Sequence, residues 1–190
     1  MIIEKFIELD LMEHYEHSVF REPDKIWVSE LVQCKQKAYF NAKFPEIYQI
    51  EPRFWLGKIV HLGFEKWLEQ EYNAKTEVEV EKSIDDITVS GRVDAIVDDT
   101  VIEIKYASDV FKNEPYEHHI KQVRLYLWLT DLTNGKLIYI SPKKFLEFDV
   151  LASASDDEVI MLYDTWSSPR YPWECKYCPF SVICSRAKEG

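Results

Sequence analysis

Along the chain the apolar positions switch between helical and alternating spacing, and the order of the switches predicts the elements. Residues 4–20 place apolar side chains at helical spacing. A second helix is predicted over 29–44, SELVQCKQKAYFNAKF, with Ser29 as N-cap, Glu30 favourable in the first turn and Pro45 as the stop. After Pro52 comes a strongly apolar helix, RFWLGKIVHLGFEKWLEQEY, over 53–72. The period then falls to two. TEVEVEK (76–82), ITVSGRVDAIV (87–97) and TVIEIKY (100–106) alternate, the last two rich in β-branched residues, and all three read as strands. A helix over 117–132 closed by Asn134-Gly135, two strands (KLIYISP and KFLEFDV) and a helix near 155–167 precede a cysteine-rich tail. The result is a mixed α/β (α+β) domain whose central mixed sheet is flanked by helices.

The strand pair at 87–106 carries the first chemical signal. Asp98 and Asp99 form a two-residue turn that pairs Val97 with Thr100. Counting back along both strands places Asp94 opposite Glu103 and Arg92 opposite Lys105, with Glu103 and Lys105 on one face. Opposed carboxylates repel. In a half-buried sheet a cation between them explains such a pair, and hard divalent ions such as magnesium or manganese take carboxylate oxygens as ligands. Gly91, Asp94, Glu103 and Lys105 therefore have the layout of a metal-dependent phosphodiester-cleaving site. The competing reading is a solvated sheet face with scattered charges.

Three other groups bear on that choice. Gly57 and His61 sit one turn apart on the helix at 53–72, where Gly marks close backbone approach and His can supply a nitrogen ligand. Gln122 and Tyr126 are also one turn apart, on a helix whose other face is apolar; they could orient a phosphate or Lys105, or simply form a polar face. The chain has only four cysteines, Cys34, Cys175, Cys178 and Cys184. Three form C-x2-C-x5-C and one lies far upstream, which favours a metal site over disulfides and fits two-pair structural zinc poorly.

Composition narrows the classes. A length of 190 residues suits one domain, and 46% apolar content provides a core. No apolar run approaches the ~20 residues that span a bilayer, and the acid-bearing N-terminus is no secretory signal, so a soluble, cytoplasmic protein without membrane attachment is expected. A net charge of −11 argues against loose nucleic-acid binding and leaves local basic pairs: Lys35 with Lys37, Lys121 with Arg124, Lys143 with Lys144.

Assembled, these residues resemble the RecB-like nucleases of the PD-(D/E)xK superfamily, and more closely the CRISPR-associated exonucleases of the spacer-acquisition module that carry an iron–sulphur cluster. The similarity covers nearly the whole chain: S-x-L-x-x-C at Ser29, Leu31 and Cys34; G-x-x-x-H at Gly57 and His61; G-x-x-D at Gly91 and Asp94; E-x-K at Glu103 and Lys105; Q-x-x-x-Y at Gln122 and Tyr126; then the C-terminal cysteines. Val93 stands where the superfamily pattern has Pro.

The resemblance implies a restriction-endonuclease-like single domain over 1–190, with a nuclease core at about 53–150 and a cluster-binding cap from 27–45 and 165–190. It implies that His61, Asp94, Glu103 and the Ile104 carbonyl bind a magnesium or manganese ion, and that Lys105 positions the attacking water or stabilises the phosphate. It implies that Gln122 and Tyr126 contact the substrate strand, and that the four cysteines ligate a [4Fe-4S] or [2Fe-2S] cluster. The implied activity is a DNA exonuclease acting on single strands or overhangs, 5′ to 3′, which trims spacer precursors alongside CRISPR integrase proteins; an oligomer is compatible with it. The alternatives are a RecB-like repair and recombination nuclease, or a non-catalytic cluster-bearing DNA-end-binding module. The cluster would act as a clasp between the Cys34 helix and the tail, walling a channel for one strand. Trp166, Tyr171, Trp173 and Tyr177 are candidates for stacking on bases or for packing around the cluster.

Overall fold

One strand organises the sheet. In the computed structural model, which describes residues 1–19, 22, 25–47, 51–107 and 113–187, β3 (Ile87–Val97) is bordered along one edge by β2 (Lys75–Ile84), antiparallel from Lys75↔Ile96 to Ile84↔Ile87. Its other edge is shared. β4 (Thr100–Tyr106) pairs antiparallel through Val97↔Thr100, Ile96↔Val101 and Ala95↔Ile102. β1 (Lys25–Trp27) pairs parallel with Thr88, Val89 and Ser90. Residues 91–94 lie between these two partners, so the sheet forks there. β5 (Asn134–Ile140) runs parallel to β4, and β6 (Phe145–Val150) closes the six-stranded sheet antiparallel to β5.

Helices cover both faces. α4 (Pro52–Tyr72) packs on β2, β3 and β4, and α5 (Glu117–Thr130), the crossover from β4 to β5, packs on β2 through β6. Neighbouring residues of β4 show the two sides: Val101 joins the core built on Val123 and Leu127 of α5, whereas Ile102 joins Leu68 of α4. α1 (Ile2–Val19) lies over the start of α4, where Lys58 reaches Asp10 at 2.5 Å and Glu13 at 2.9 Å. α6 (Asp156–Asp164) starts at Ser155, whose Oγ accepts the Glu158 N–H, and is pinned to α5 by a two-armed Arg124–Glu158 pair at 2.6 Å. Arg124 is thus a structural tie rather than a free basic group. Among the described residues no helix is long and apolar enough to cross a membrane.

β2 and β3 exchange faces midway. Val89 and Val93 belong to the α5 side, but Ala95, of the same parity, belongs to the α4 side. On β2, Val78 and Val80 lie with the α5 side, while Thr76 donates to Glu69 of α4 at 2.6 Å. Glu77, at φ 51°, marks the crossing, and the ladder skips Glu77 and Asp94. The crossing turns Asp94 and Ala95 both toward α4.

The predicted order holds for β2 to β6 and the helices, but β1 (Lys25–Trp27) was not expected, and there are three corrections. The helix expected over 29–44 is two helices, α2 (Val28–Leu31) and α3 (Lys35–Lys43). It breaks because the tail docks on the junction: Trp166 Nε1 donates to the Gln33 carbonyl at 2.8 Å, and the Cys34 N–H donates to Glu174. Ser29 is not the N-cap; Trp27 holds that position, its N–H donating to the Glu30 carboxylate at 3.2 Å. Asn134-Gly135 opens β5 rather than closing α5, which ends at a left-handed Asp131 (φ 55°). Residue 20 of the expected first helix and residues 188–190 of the tail lie outside the described residues.

Candidate active site

The fork in the sheet gathers His61 from α4, Asp94 from β3, and Glu103 and Lys105 from β4. The register counted from the turn is correct for three pairs, then the ladder stops at Ala95↔Ile102. Asp94 and Glu103 are therefore not a ladder pair. Instead Asp94 Oδ2 accepts the Ile104 N–H at 2.7 Å, standing where the next backbone acceptor would be. An extended residue sends its N–H and C=O to the same edge, so the Ile104 carbonyl also faces the fork. Arg92 is not opposite Lys105 either; it binds Glu77 at 2.6 Å and Glu13 at 3.5 Å. Lys105 Nζ contacts Glu103 Oε1 directly.

His61 Nδ1 lies 3.6 Å from Asp94 Oδ2 and 3.6 Å from Glu65 Oε1. Glu65, one turn beyond His61, is 5% exposed and was missed by the sequence reading. The H-x3-E spacing on the face shared with Gly57 was the signal for it. Among the described residues, His61, Glu65 and Asp94 form the one set of three His, Cys, Asp or Glu ligand atoms within 4.8 Å of one another.

The charges here conflict. Glu103, 1% exposed, has its pKa pushed up to about 7, by burial first and then by Asp94, against the pull of Lys105 and His61. Burial likewise raises Asp94, opposed by His61 and Lys105. Burial works against the charged forms of His61 and Lys105, but neighbouring carboxylates outweigh it and both pKa values rise. Glu103 Oε2 and Glu65 Oε1 are buried with no hydrogen-bond partner. Orphaned carboxylate oxygens beside an imidazole are a donor set suited to a hard divalent ion, so the residues present fit one. The fork opens into a cleft of about 840 Å3 whose lining includes Lys58, Arg92 and Tyr126.

Tyr126 lines the cleft, and Gln122 stands behind it, its Nε2 donating to Tyr126 Oη at 3.1 Å. Both are buried, on a helix buried nearly all round rather than one with a polar face. Gly91 explains itself here: a Cβ would stand 2.5 Å from Tyr126 Cε1, so only glycine lets the tyrosine reach β3. At Gly57 a Cβ would meet Tyr106 at an ordinary 3.7 Å.

The four cysteines, separated by up to 150 residues, line one small cavity about 20 Å3 in volume, and all are unbridged. The surrounding stitches are polar. Buried Glu174 accepts N–H groups from Cys34, Arg170 and Tyr171, each at 2.8 Å; Gln36 N–H donates to Ser168 Oγ at 2.8 Å; Arg170 Nη1 donates to the Leu31 carbonyl at 2.8 Å. Phe180 packs on Phe40 with ring centres 5.4 Å apart. Glu174 also escaped the sequence reading, since an acid within WECKYC carries no mark of burial.

No protein-family model matches the chain. A curated relative, the CRISPR-associated exonuclease Cas4 of Saccharolobus solfataricus, is 36% identical over 200 residues, covering 97% of this chain and 98% of its own length. The crystal structure of SSO0001 superposes with a TM-score of 0.92 at 35% identity, covering 100% of this chain and 98% of that one. An alkaline exonuclease from Laribacter hongkongensis shares the fold at a TM-score of 0.56 and 14% identity, covering 90% of this chain and 98% of its own. Identity of this extent across nearly the whole length establishes that the chain belongs to the Cas4 family of CRISPR-associated exonucleases.

Proposed function

We propose that this nuclease is a metal-dependent DNA exonuclease that works on single strands or overhangs, 5′ to 3′, and trims spacer precursors in the cytoplasm before integrase proteins insert them. The observation that carries the reading is the fork itself, where two buried carboxylate oxygens without hydrogen-bond partners lie among an imidazole, a third carboxylate and a lysine. His61, Asp94, Glu103 and the Ile104 carbonyl would hold a magnesium or manganese ion, with Glu65 beside them. When bound, such an ion lowers the pKa of water and neutralises phosphate oxygens. Lys105, held in place by Glu103, sets a fixed positive charge beside the phosphate. Tyr126, anchored by Gln122 and admitted by Gly91, forms the wall against which the strand lies. Arg92 and Lys58 supply local positive charge in a chain of net charge −11.

The cysteine cavity would hold an iron–sulphur cluster, [4Fe-4S] or [2Fe-2S]. Iron and sulphide quantitation on anaerobically purified protein tests the cluster; stoichiometric zinc in a colourless protein would overturn it. Manganese-dependent digestion of end-labelled single strands tests activity and polarity. A wild type that leaves such strands intact would overturn the enzymatic reading, and digestion from the 3′ end alone would overturn the polarity.

A further inference from the structure

Beyond the fork, a set of rings joins the cysteine tail to the start of α5, where His118 and His119 feel the charge of Lys105. Trp173 is 45% exposed, and its ring lies parallel to that of Tyr171, 12° between planes and 5.8 Å between centres. His118, at the start of α5, packs on both, 5.1 Å from Trp173 and 5.6 Å from Tyr171. His119 follows at 4.1 Å from His118. The other two stacking candidates are placed differently: Trp166 donates its N–H to Gln33, and Tyr177 sits beside Lys176.

Hydrogen bonding assigns the state of His119. Tyr139 is fully buried, and its hydroxyl accepts the Tyr116 N–H at 3.0 Å and lies 2.8 Å from His119 Nδ1. Among the described residues the hydroxyl has no other hydrogen-bond acceptor, so satisfying its proton calls for the tautomer in which Nδ1 accepts and Nε2 carries the ring proton. That N–H has no hydrogen-bond partner among the described residues, and His119 is partly exposed. Burial, then the Lys105 charge, depress the pKa of His118 to about 4 and of His119 to about 2, so both rings are neutral.

We propose that Trp173, backed by Tyr171 and His118, is a stacking seat for one unpaired base, and that His119 Nε2–H donates to the same nucleotide as it passes toward Lys105. The ligand class is single-stranded nucleic acid. The proposal deepens the nuclease reading and rests on it for the direction of travel. A base offers a π-face whatever its sequence, and a duplex keeps those faces stacked inside. In a protein of net charge −11, neutral rings hold a base without phosphate contacts, so the stacking share of the affinity should depend only weakly on salt, beside the charge of Lys121, which lies over the Tyr171 ring, 5.9 Å from its centre.

The test is anisotropy of fluorescein-labelled oligothymidylate with the full chain in EDTA, where no metal-dependent cleavage occurs. Trp173→Ala should weaken binding about tenfold, within the range for losing one stacked base, while Trp173→Phe should retain it. If Trp173→Ala disturbs the tail, seen as lost visible absorbance, His118→Ala makes the same test from outside the tail. Unchanged affinity in the folded variants, or a wild type that does not bind the oligomer, overturns the seat. Cleavage by the wild type with manganese is measured separately, so failure of the nuclease reading would show there while the seat is judged by binding alone.

Discussion

The fork and the cysteine cap solve opposite problems. At the fork the scaffold is complete: β3 and β4 belong to the core, Tyr126 is buried against Gly91, and Asp94 is bonded to the backbone. What is unsettled there is charge, with two orphaned carboxylate oxygens and a glutamate that holds its proton up to about neutral pH. At the cap the charges are settled, since Glu174 accepts three N–H groups. What is sparse there is the scaffold: four unlinked thiols surround a cavity, three of them in a stretch beyond α6 whose described residues hold one 3-10 turn, Glu174–Tyr177. On the proposed reading, the fork keeps its geometry without an ion, whereas a cluster at the cap would supply geometry to the tail.

The largest effect should come from the fork. Glu103→Gln or Asp94→Ala should reduce manganese-dependent cleavage more than about a hundredfold, as expected when several kcal/mol of charge stabilisation is lost. These variants should still fold by circular dichroism but melt lower, because Glu103→Gln takes the carboxylate from Lys105 and Asp94→Ala takes the acceptor from the Ile104 N–H. Retained cleavage would break the comparison at its active half.

Next comes the clasp. Cys34→Ala should remove visible absorbance and lower the melting temperature, with limited proteolysis opening the tail beyond α6 before the sheet. Simultaneous loss of tail and sheet would show that the cap is part of the core. Smaller changes separate the polar stitches from the proposed cluster. Glu174→Gln places an amide N–H2 among three donors and should cost about 1–3 kcal/mol, read as a lower denaturation midpoint with absorbance retained. Gly91→Ala should cost a similar amount by overpacking Tyr126, and unlike Glu174→Gln it should also depress cleavage.

The two regions differed in legibility as well. The hairpin register was readable because a two-residue turn leaves one pairing, Val97 with Thr100. Where that pairing stops was not, since the face exchange at Glu77 depends on a backbone angle that alternation does not encode. Glu65 was visible in spacing yet looked like one of many helix-surface acids; only burial distinguishes it. The four cysteines were readable as a group from their rarity and spacing. The break at Cys34 that lets them meet was not, because helical periodicity runs unbroken through 29–44 and the cause lies more than 130 residues away, in Trp166 and Glu174.

The smallest expected effect lies where the regions meet, at His118 and His119. Both have folded-state pKa values below the ordinary 6.5, about 4 and about 2, caused first by burial and then by Lys105. The unfolded chain therefore takes up protons as pH falls through about 6.5, while the folded chain refuses them until much lower. Their contribution to stability is fully present above pH 6.5 and is lost as pH falls from there toward 4. The fork carboxylates, whose pKa values are raised, shift the other way, so the raw pH curve mixes the two regions. A double variant, His118→Asn with His119→Asn, isolates the histidines: its melting temperature should fall less between pH 7 and pH 5 than that of the wild type. Equal falls would mean that the two rings are solvated in solution and that the aromatic link between cap and fork is open there.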